Sequence, residues 1–317
     1  MKDSENQHDN APCLSLVCPC YNEEKVIDHF LRKIEEVLGQ SGCSYEILFV
    51  NDGSTDGTFQ KLLEAKERNP HIRILNLSRN FGKEAALTAG LDHARGEAVV
   101  PIDVDLQHPP ETILEFLKKW REGHDVVVGK RITRTGEHPL KKLSAKLFYD
   151  LQGKIADDVK IPADIGDFRL MDRKVVEAIK KLPENQRFMK GIFAWVGFDT
   201  AVVEYRQKER AAGKSSFNGW RLWNYALDGI TSFSTVPLRV WFYIGVIVAA
   251  ISFLLGIAIV LKTLFFGKDV PGYASIMTMI LFLGGVQLIG IGVLGEYIGR
   301  IFKEAKRRPT YILEGEY

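Results

Sequence analysis

Asp103-Val104-Asp105-Leu106-Gln107 follow directly on the apolar run Ala98 to Ile102, so two carboxylates and an amide stand where a buried strand opens into a loop. Carboxylate oxygens spaced i, i+2 off a strand end can converge on a hard divalent cation. Such a cation neutralises the phosphates of a nucleotide-activated substrate. Two acidic residues in a loop are more often only solvated, so the pair gains its weight from what surrounds it.

The elements that must position this loop are legible as an alternation. Short apolar runs at Leu14 to Val17, Ile47 to Val50, Ile72 to Leu77 and Ala98 to Ile102 are separated by amphipathic stretches that start near Glu24, Thr55 and Lys83. Strands separated by helices of this length predict an α/β domain with crossover connections and a mostly parallel sheet covered on both faces. Ligands of such sheets bind at the carboxyl ends of the strands. Three polar clusters fall there: Tyr21-Asn22-Glu23-Glu24, Asn51-Asp52-Gly53-Ser54-Thr55-Asp56-Gly57, and the Asp103 loop. The Asn51-Asp52-Gly53 stretch would also make an ordinary turn without any ligand. No Gly-x-Gly-x-x-Gly follows the first strand and no Gly-x-x-x-x-Gly-Lys-Ser/Thr occurs, which excludes the usual dinucleotide and P-loop modes.

The chain has 317 residues, more than one compact domain needs. From Val240 to Leu261 there is no charge, and fourteen positions are Val, Ile, Leu or Phe. These favour membrane insertion by roughly 4 to 8 kcal/mol before polar residues are counted. A second uncharged run extends from Val270 to Gly295, so the sequence predicts a transmembrane hairpin with spans at about 240–262 and 270–295. Lys262 and Lys268 are the only basic residues of the link, whereas Arg300, Lys303, Lys306, Arg307 and Arg308 crowd the far end, and Arg221 and Arg239 precede the first span. The positive-inside bias places both termini and the N-terminal domain on the cytoplasmic side of the inner (plasma) membrane. Residues 215–238, with Phe217, Trp220, Trp223 and Tyr225, read as amphipathic helices in the membrane interface. The expected division is a disordered tail over 1–12, a nucleotide-binding domain over 13–214, interface helices over 215–238 and the hairpin with a basic tail over 239–317. Residues 1 to 11 are polar and lack the apolar stretch of a signal peptide.

A net charge of +2, with the basic residues gathered beside the membrane, gives no nucleic-acid signal and points to anionic lipid headgroups. Cys13, Cys18, Cys20 and Cys43 lack metal-ligand spacing and read as packing thiols.

Pro19-x-Tyr21-Asn22-Glu23-Glu24, Asn51-Asp52-Gly53-Ser54-x-Asp56, Asp103-x-Asp105-Leu106-Gln107-x-Pro109-Pro110-Glu111 and Gly166-Asp167-Phe168-Arg169-Leu170-Met171 together resemble the inverting family 2 glycosyltransferases of GT-A fold. Within these the chain is similar to the polyprenyl-phosphate glycosyltransferases, the group that contains dolichol-phosphate mannose synthase. The two C-terminal spans narrow the resemblance to the bactoprenol glucosyltransferase type. It extends from about Leu14 to Pro309.

The resemblance implies Mg2+ or Mn2+ held by Asp105 with Gln107 assisting, and Asp103 either on that metal or on the ribose hydroxyls. It places Asp52 against the base and ribose of the donor with Glu23 beside it, and Pro19 and Tyr21 in the same pocket. Arg210-Ala211-Ala212-Gly213-Lys214-Ser215 resembles the family loop that covers the donor diphosphate, which implicates Arg210 and Lys214. The implied acceptor, polyprenyl (undecaprenyl) phosphate, carries an anionic headgroup. Arg131 and Arg134, past the run Val126 to Val128, are the candidate phosphate ligands because arginine matches phosphate bidentately. For Arg134, Lys141 and Lys142 a solvated basic face remains the alternative.

Asp167 is the implied catalytic base. A phosphate monoester has its second pKa near 6 and is largely a dianion at neutral pH, so Asp167 serves equally well to orient a sugar hydroxyl or water. The implied donor is UDP-glucose, although N-acetylglucosamine, mannose or an aminoarabinose derivative would use the same residues. The lipid product would need a separate flippase. Gln287, with Gly284, Gly285, Gly290 and Gly292 nearby, suits either a homo-oligomeric contact, up to a tetramer, or packing within the hairpin. Glu296 and Arg300 are spaced to pair. A processive synthase would need a channel and a Gln-x-x-Arg-Trp motif, which is absent. A silent scaffold would have no physical need for Asp103, Asp105 and Asp167 together.

Overall fold

The computed structural model describes residues 12–132, 165–206, 234–266 and 272–317. The first half alternates as expected: β1 (Leu14–Cys20), α1 (Ile27–Leu38), β2 (Tyr45–Asn51), α2 (Thr58–Arg68), β3 (Ile72–Leu77), α3 (Lys83–His93), β4 (Ala98–Pro101), α4 (Thr112–Arg121) and β5 (Val126–Arg131). There follow β6 (Ile165–Asp172), α5 (Arg173–Lys180), α6 (Met189–Trp195), β7 (Thr200–Tyr205), α7 (Val236–Phe266), α8 (Tyr273–Ala305) and β8 (Leu313–Glu316).

All eight strands form one sheet in the order β7-β5-β6-β4-β1-β2-β3-β8. The central strands are buried along nearly their whole length because both faces are covered, so they show apolar runs and not the polar alternation of a one-sided sheet. Successive residues of β1 feed opposite layers. Leu16 packs with Phe30, Phe49, Phe116 and Phe168 under α1, α2 and α4, while Val17 packs with Leu48, Leu87, Met171 and Ile192 under α3, α5 and α6. Helix α3 is buried from Ala85 to Leu91, and its small residues let it lie close on the sheet. A Cβ at Gly90 would overlap Val17.

The sheet is less parallel than its periodicity predicts. β4, β1, β2 and β3 are parallel, as are β5 and β7, but β6 runs antiparallel to both β4 and β5. β8 adds antiparallel to β3. The C-terminal end is therefore not only a basic tail. Arg73 of β3 bridges Glu46 at 2.6 Å and Glu316 at 2.5 Å, and the Tyr311 hydroxyl bonds Asp92 at 3.0 Å. Four short, half-polar residues carry no strand signal on their own, and only the free edge of β3 makes them one.

Among the described residues two helices are long and apolar enough to cross a membrane, with candidate spans at Val236–Ile259 and Phe282–Ala305. At 31 and 33 residues, α7 and α8 are about 46 and 50 Å long, well beyond a ~30 Å hydrocarbon core. Trp241 of α7 lies against Gly290 of α8, where any side chain would collide with the indole. Gln287 is exposed on α8. The Glu296 and Arg300 pair forms at 3.1 Å, and one turn on, Glu304 accepts the backbone N–H groups of Asn185 and Gln186. The last turn of α8 is thereby fastened to the α/β domain. The expected 1–12 tail falls outside the described residues apart from Pro12, as does most of the 215–238 interface segment.

Candidate functional site

The carboxyl ends of β1 and β2 are stitched together by their own polar side chains. Asn22, in the left-handed conformation at φ 57°, donates its N–H to Ser54 Oγ and accepts the Thr55 N–H at 2.8 Å. The Glu23 N–H reaches Thr58 Oγ1 at 2.8 Å, and Glu24 accepts the Gly57 N–H. Tyr21 stands out from this knot, 45% exposed. Glu23 is half-buried beside it.

Asp52 is more deeply engaged than the sequence suggests. It is 3% exposed, and its two oxygens accept the N–H groups of Phe81 at 2.7 Å and Gly82 at 2.9 Å. Burial pushes its carboxyl up while the two amides pull it back. Its carboxylate thus anchors the loop into α3, in addition to any contact with a base or ribose. Gly82, at φ +99°, takes a backbone conformation closed to most side chains, and Lys83 then opens the helix.

Asp103 leaves β4 and meets Asp167, which comes from β6. The register explains the meeting. Ala98 pairs with Asp172 and Val99 with Met171, so continuing the antiparallel ladder by four residues brings Asp103 opposite Asp167. Between the two carboxylates lies Lys83 Nζ, 2.7 Å from Asp103 Oδ1 and 3.2 Å from Asp167 Oδ2. Burial opposes a charge on Lys83, but the Asp103 and Asp167 carboxylates outweigh it and hold the ammonium firmly protonated. Pro19, Lys83, Asp103, His108, Asp167 and Phe168 line one pocket.

Asp105 lies on the same loop, where its Oδ1 accepts the Gln107 N–H at 3.1 Å around Leu106, which takes a left-handed φ of 58°. Asp103 lines the pocket, while Asp105 and Gln107 follow it on the same loop and are not among the pocket-lining residues. Among the described residues no three His, Cys, Asp or Glu side chains form a metal cage. The loop does offer hard oxygen donors, and Mg2+ is commonly held by one or two carboxylates and completed by substrate phosphates. The donor set fits that mode, and the presence of an ammonium on Asp103 shows that the spot accommodates a cation.

Two pocket residues escaped the sequence reading. His108 stacks on Phe168 with centroids 4.9 Å apart, shares a 2.9 Å hydrogen bond with the Tyr205 hydroxyl, and brings Nε2 to 3.9 Å from Asp103. Burial lowers its pKa, partly countered by Asp103, so at neutral pH it is a neutral ring. Lys83 is the other. A cation in the first turn of a helix opposes the macrodipole, and that misfit was the available signal. Arg169, two residues past Asp167, is also buried, over the Phe193 ring at 4.1 Å, and burial lowers its pKa to about 10. Arg131 ends β5 opposite Tyr205, placing it next to the His108 cluster. Arg134, Lys141, Lys142, Arg210 and Lys214 lie outside the described residues.

Residues 15–180 match the glycosyl transferase family 2 model, and residues 236–301 match the GtrB C-terminal hairpin. This chain belongs to glycosyltransferase family 2. The bactoprenol glucosyl transferase of Shigella phage SfV is 55% identical over 303 residues, covering 96% of this chain and 98% of that protein. A prophage bactoprenol glucosyl transferase homolog of Escherichia coli (strain K12) is 52% identical over 301 residues, covering 95% and 98%. Among solved structures, the mannosyltransferase PcManGT from Pyrobaculum calidifontis, in complex with GDP-Man and Mn2+, aligns with a TM-score of 0.46 and 17% identity over 89% of this chain and 88% of that one. The family 2 domain of this chain is the GT-A, Rossmann-like sheet described above, and the hairpin model covers α7 and most of α8.

Proposed function

We propose that this family 2 glycosyltransferase moves glucose from UDP-glucose to polyprenyl phosphate at the cytoplasmic membrane face, with inversion at the anomeric carbon. The observation that carries the reading is the convergence of Asp103 and Asp167 on Lys83 in one pocket, in a chain that also carries two membrane-length helices. The choice of glucose and bactoprenol rests on the relatives named above.

On this reading Asp103, Asp105 and Gln107 would hold a divalent ion, Mg2+ or Mn2+, which would supply charge stabilisation for the departing nucleoside diphosphate. Tyr21, Glu23, Pro19 and the Asp52 loop form the nucleotide side. Arg210 and Lys214 are assigned to the donor diphosphate by the family resemblance alone. Arg131, with Arg134, holds the acceptor phosphate bidentately. That phosphate attacks as a dianion, so Asp167 orients the sugar and is not required to take a proton. Neutral His108 and Tyr205 keep the wall beside Arg131 rigid and low in charge. The basic residues from Arg300 to Arg308 rest on anionic lipid. Exposed Gln287 supports a contact with a second copy in the bilayer. The β-linked glucosyl lipid then passes to a separate flippase.

A donor panel tests this. Full-length protein in detergent, with undecaprenyl phosphate and Mn2+ or Mg2+, is given UDP-glucose, UDP-N-acetylglucosamine or GDP-mannose, and lipids are read by mass spectrometry. Preferential hexosyl transfer from UDP-glucose supports the reading. Transfer from another donor alone corrects the sugar, and absence of any lipid product from folded protein overturns the reaction.

A further inference from the structure

We infer that Lys83 is a built-in counter-cation that holds Asp103 and Asp167 side by side until the metal-bound donor arrives, and that it afterwards positions Asp167. The inference rests on the reading of this site as a donor diphosphate site. Three observations lead to it.

Strand pairing, not charge, brings the two aspartates together, because the β4 and β6 register sets them opposite each other. Two carboxylates at one spot repel unless a cation lies between them. Lys83 Nζ lies within 3.2 Å of both, and His108 Nε2 stands 3.9 Å from Asp103.

The lysine is held there from outside the pocket. Asp52 grips the N–H groups of Phe81 and Gly82, and Gly82 turns the chain so that Lys83 begins α3 facing the strand ends. A cation at a helix start is electrostatically unfavourable, so its placement needs the two carboxylates to offset the dipole. The donor-side loop after β2 is thereby mechanically joined to the charge balance of the reacting side.

In the ligand-free site the ammonium takes both oxygens of Asp103, at 2.7 and 2.8 Å, and so competes with a divalent ion for the same carboxylate. A metal that arrives with the donor diphosphate brings its own anionic ligands and can displace the lysine from Asp103. Lys83 then keeps its bond to Asp167. The consequence is ordered loading, in which a bare metal ion binds weakly and metal with nucleotide binds well.

The test is a titration of nucleotide-free, full-length protein with Mn2+, in which free Mn2+ is followed by electron paramagnetic resonance, for wild type, Lys83→Met and Lys83→Arg. Removing the competing charge should tighten Mn2+ binding roughly tenfold in the Met variant, the scale of one partly exposed charge pair, while the Arg variant stays weak. Turnover in the Met variant should fall by about 10- to 100-fold, as for loss of a residue that orients a ligand. A lysine that only supported the fold would weaken metal binding and turnover together. Unchanged or weaker Mn2+ binding in a Met variant with wild-type circular dichroism and melting temperature overturns the inference. If wild type makes no lipid-linked sugar, the functional reading fails instead, and the Mn2+ titration still reports on Lys83.

Discussion

Asn76 Nδ2 donates to Glu314 Oε2 at 2.7 Å, while Asn76 Oδ1 accepts from Asn51 Nδ2, also at 2.7 Å. Asn51 Oδ1 in turn accepts the Ser54 N–H of the donor-side loop. A relay of buried amides therefore runs from the C-terminal strand, across β3, to the loop that follows β2. Glu314→Ala leaves the buried Asn76 amide without this acceptor. We expect a loss of about 1 to 3 kcal/mol in unfolding free energy, measured by thermal or denaturant unfolding, together with weaker UDP binding. Wild-type stability and UDP affinity in that variant would show that the relay carries nothing.

On the proposed reading Asp105 holds the metal and Asp167 orients the sugar. Asp105→Ala should leave almost no transfer at any Mn2+ concentration, whereas Asp167→Asn should retain measurable turnover, since the phosphate dianion needs no base. Initial rates for the two variants decide this. Equal inactivation would restore proton transfer to Asp167.

Gly53 lies at φ +61°, and a Cβ there would run into the backbone of Arg79 and Asn80. Because that backbone leads to Lys83, Gly53→Ala should displace both loops. The expected cost is about 1 to 3 kcal/mol from overpacking, with a raised KM for the donor. A crystal structure of the variant with the 79–82 backbone unmoved would contradict it.

Glu84 titrates in the neutral range. Burial, reinforced by Asp167, raises its carboxyl to about 7, although it accepts the Met189 N–H. The folded state therefore binds this proton more tightly than the unfolded chain, whose Glu titrates near 4.5. The associated stability is present in full below about 4.5 and is lost as pH rises through about 7. Glu84→Gln mimics the protonated form, so its melting temperature relative to wild type should rise between pH 5 and 8. A flat difference across that range would reassign the titration.

Much of the fold could be read from residues 14 to 102, because buried strands alternate there with helices, amphipathic in α1 and α2, although α3 is buried from Ala85 to Leu91. Helix α3 begins at Lys83 in both readings, and β3 covers Ile72 to Leu77 in both. β6 and β8 were not legible as antiparallel strands, since their direction is fixed by partners far along the chain. The same non-locality hid the site. Asp103 and Asp105 stood out as carboxylates at a strand end and Asp167 through the family resemblance, but only the β4 and β6 register joins Asp103 to Asp167. His108 lay unread between Gln107 and Pro109, because its meaning depends on Tyr205 and Phe168, which lie on other strands.

The most direct test of the account is the anomeric configuration and metal dependence of the product formed from UDP-glucose and undecaprenyl phosphate. Wild type should release UDP in step with a β-linked glucosyl phospholipid, identified by nuclear magnetic resonance, only when Mg2+ or Mn2+ is present, and Asp105→Ala should form none. An α-linked lipid, or UDP release without lipid glucosylation, would contradict it.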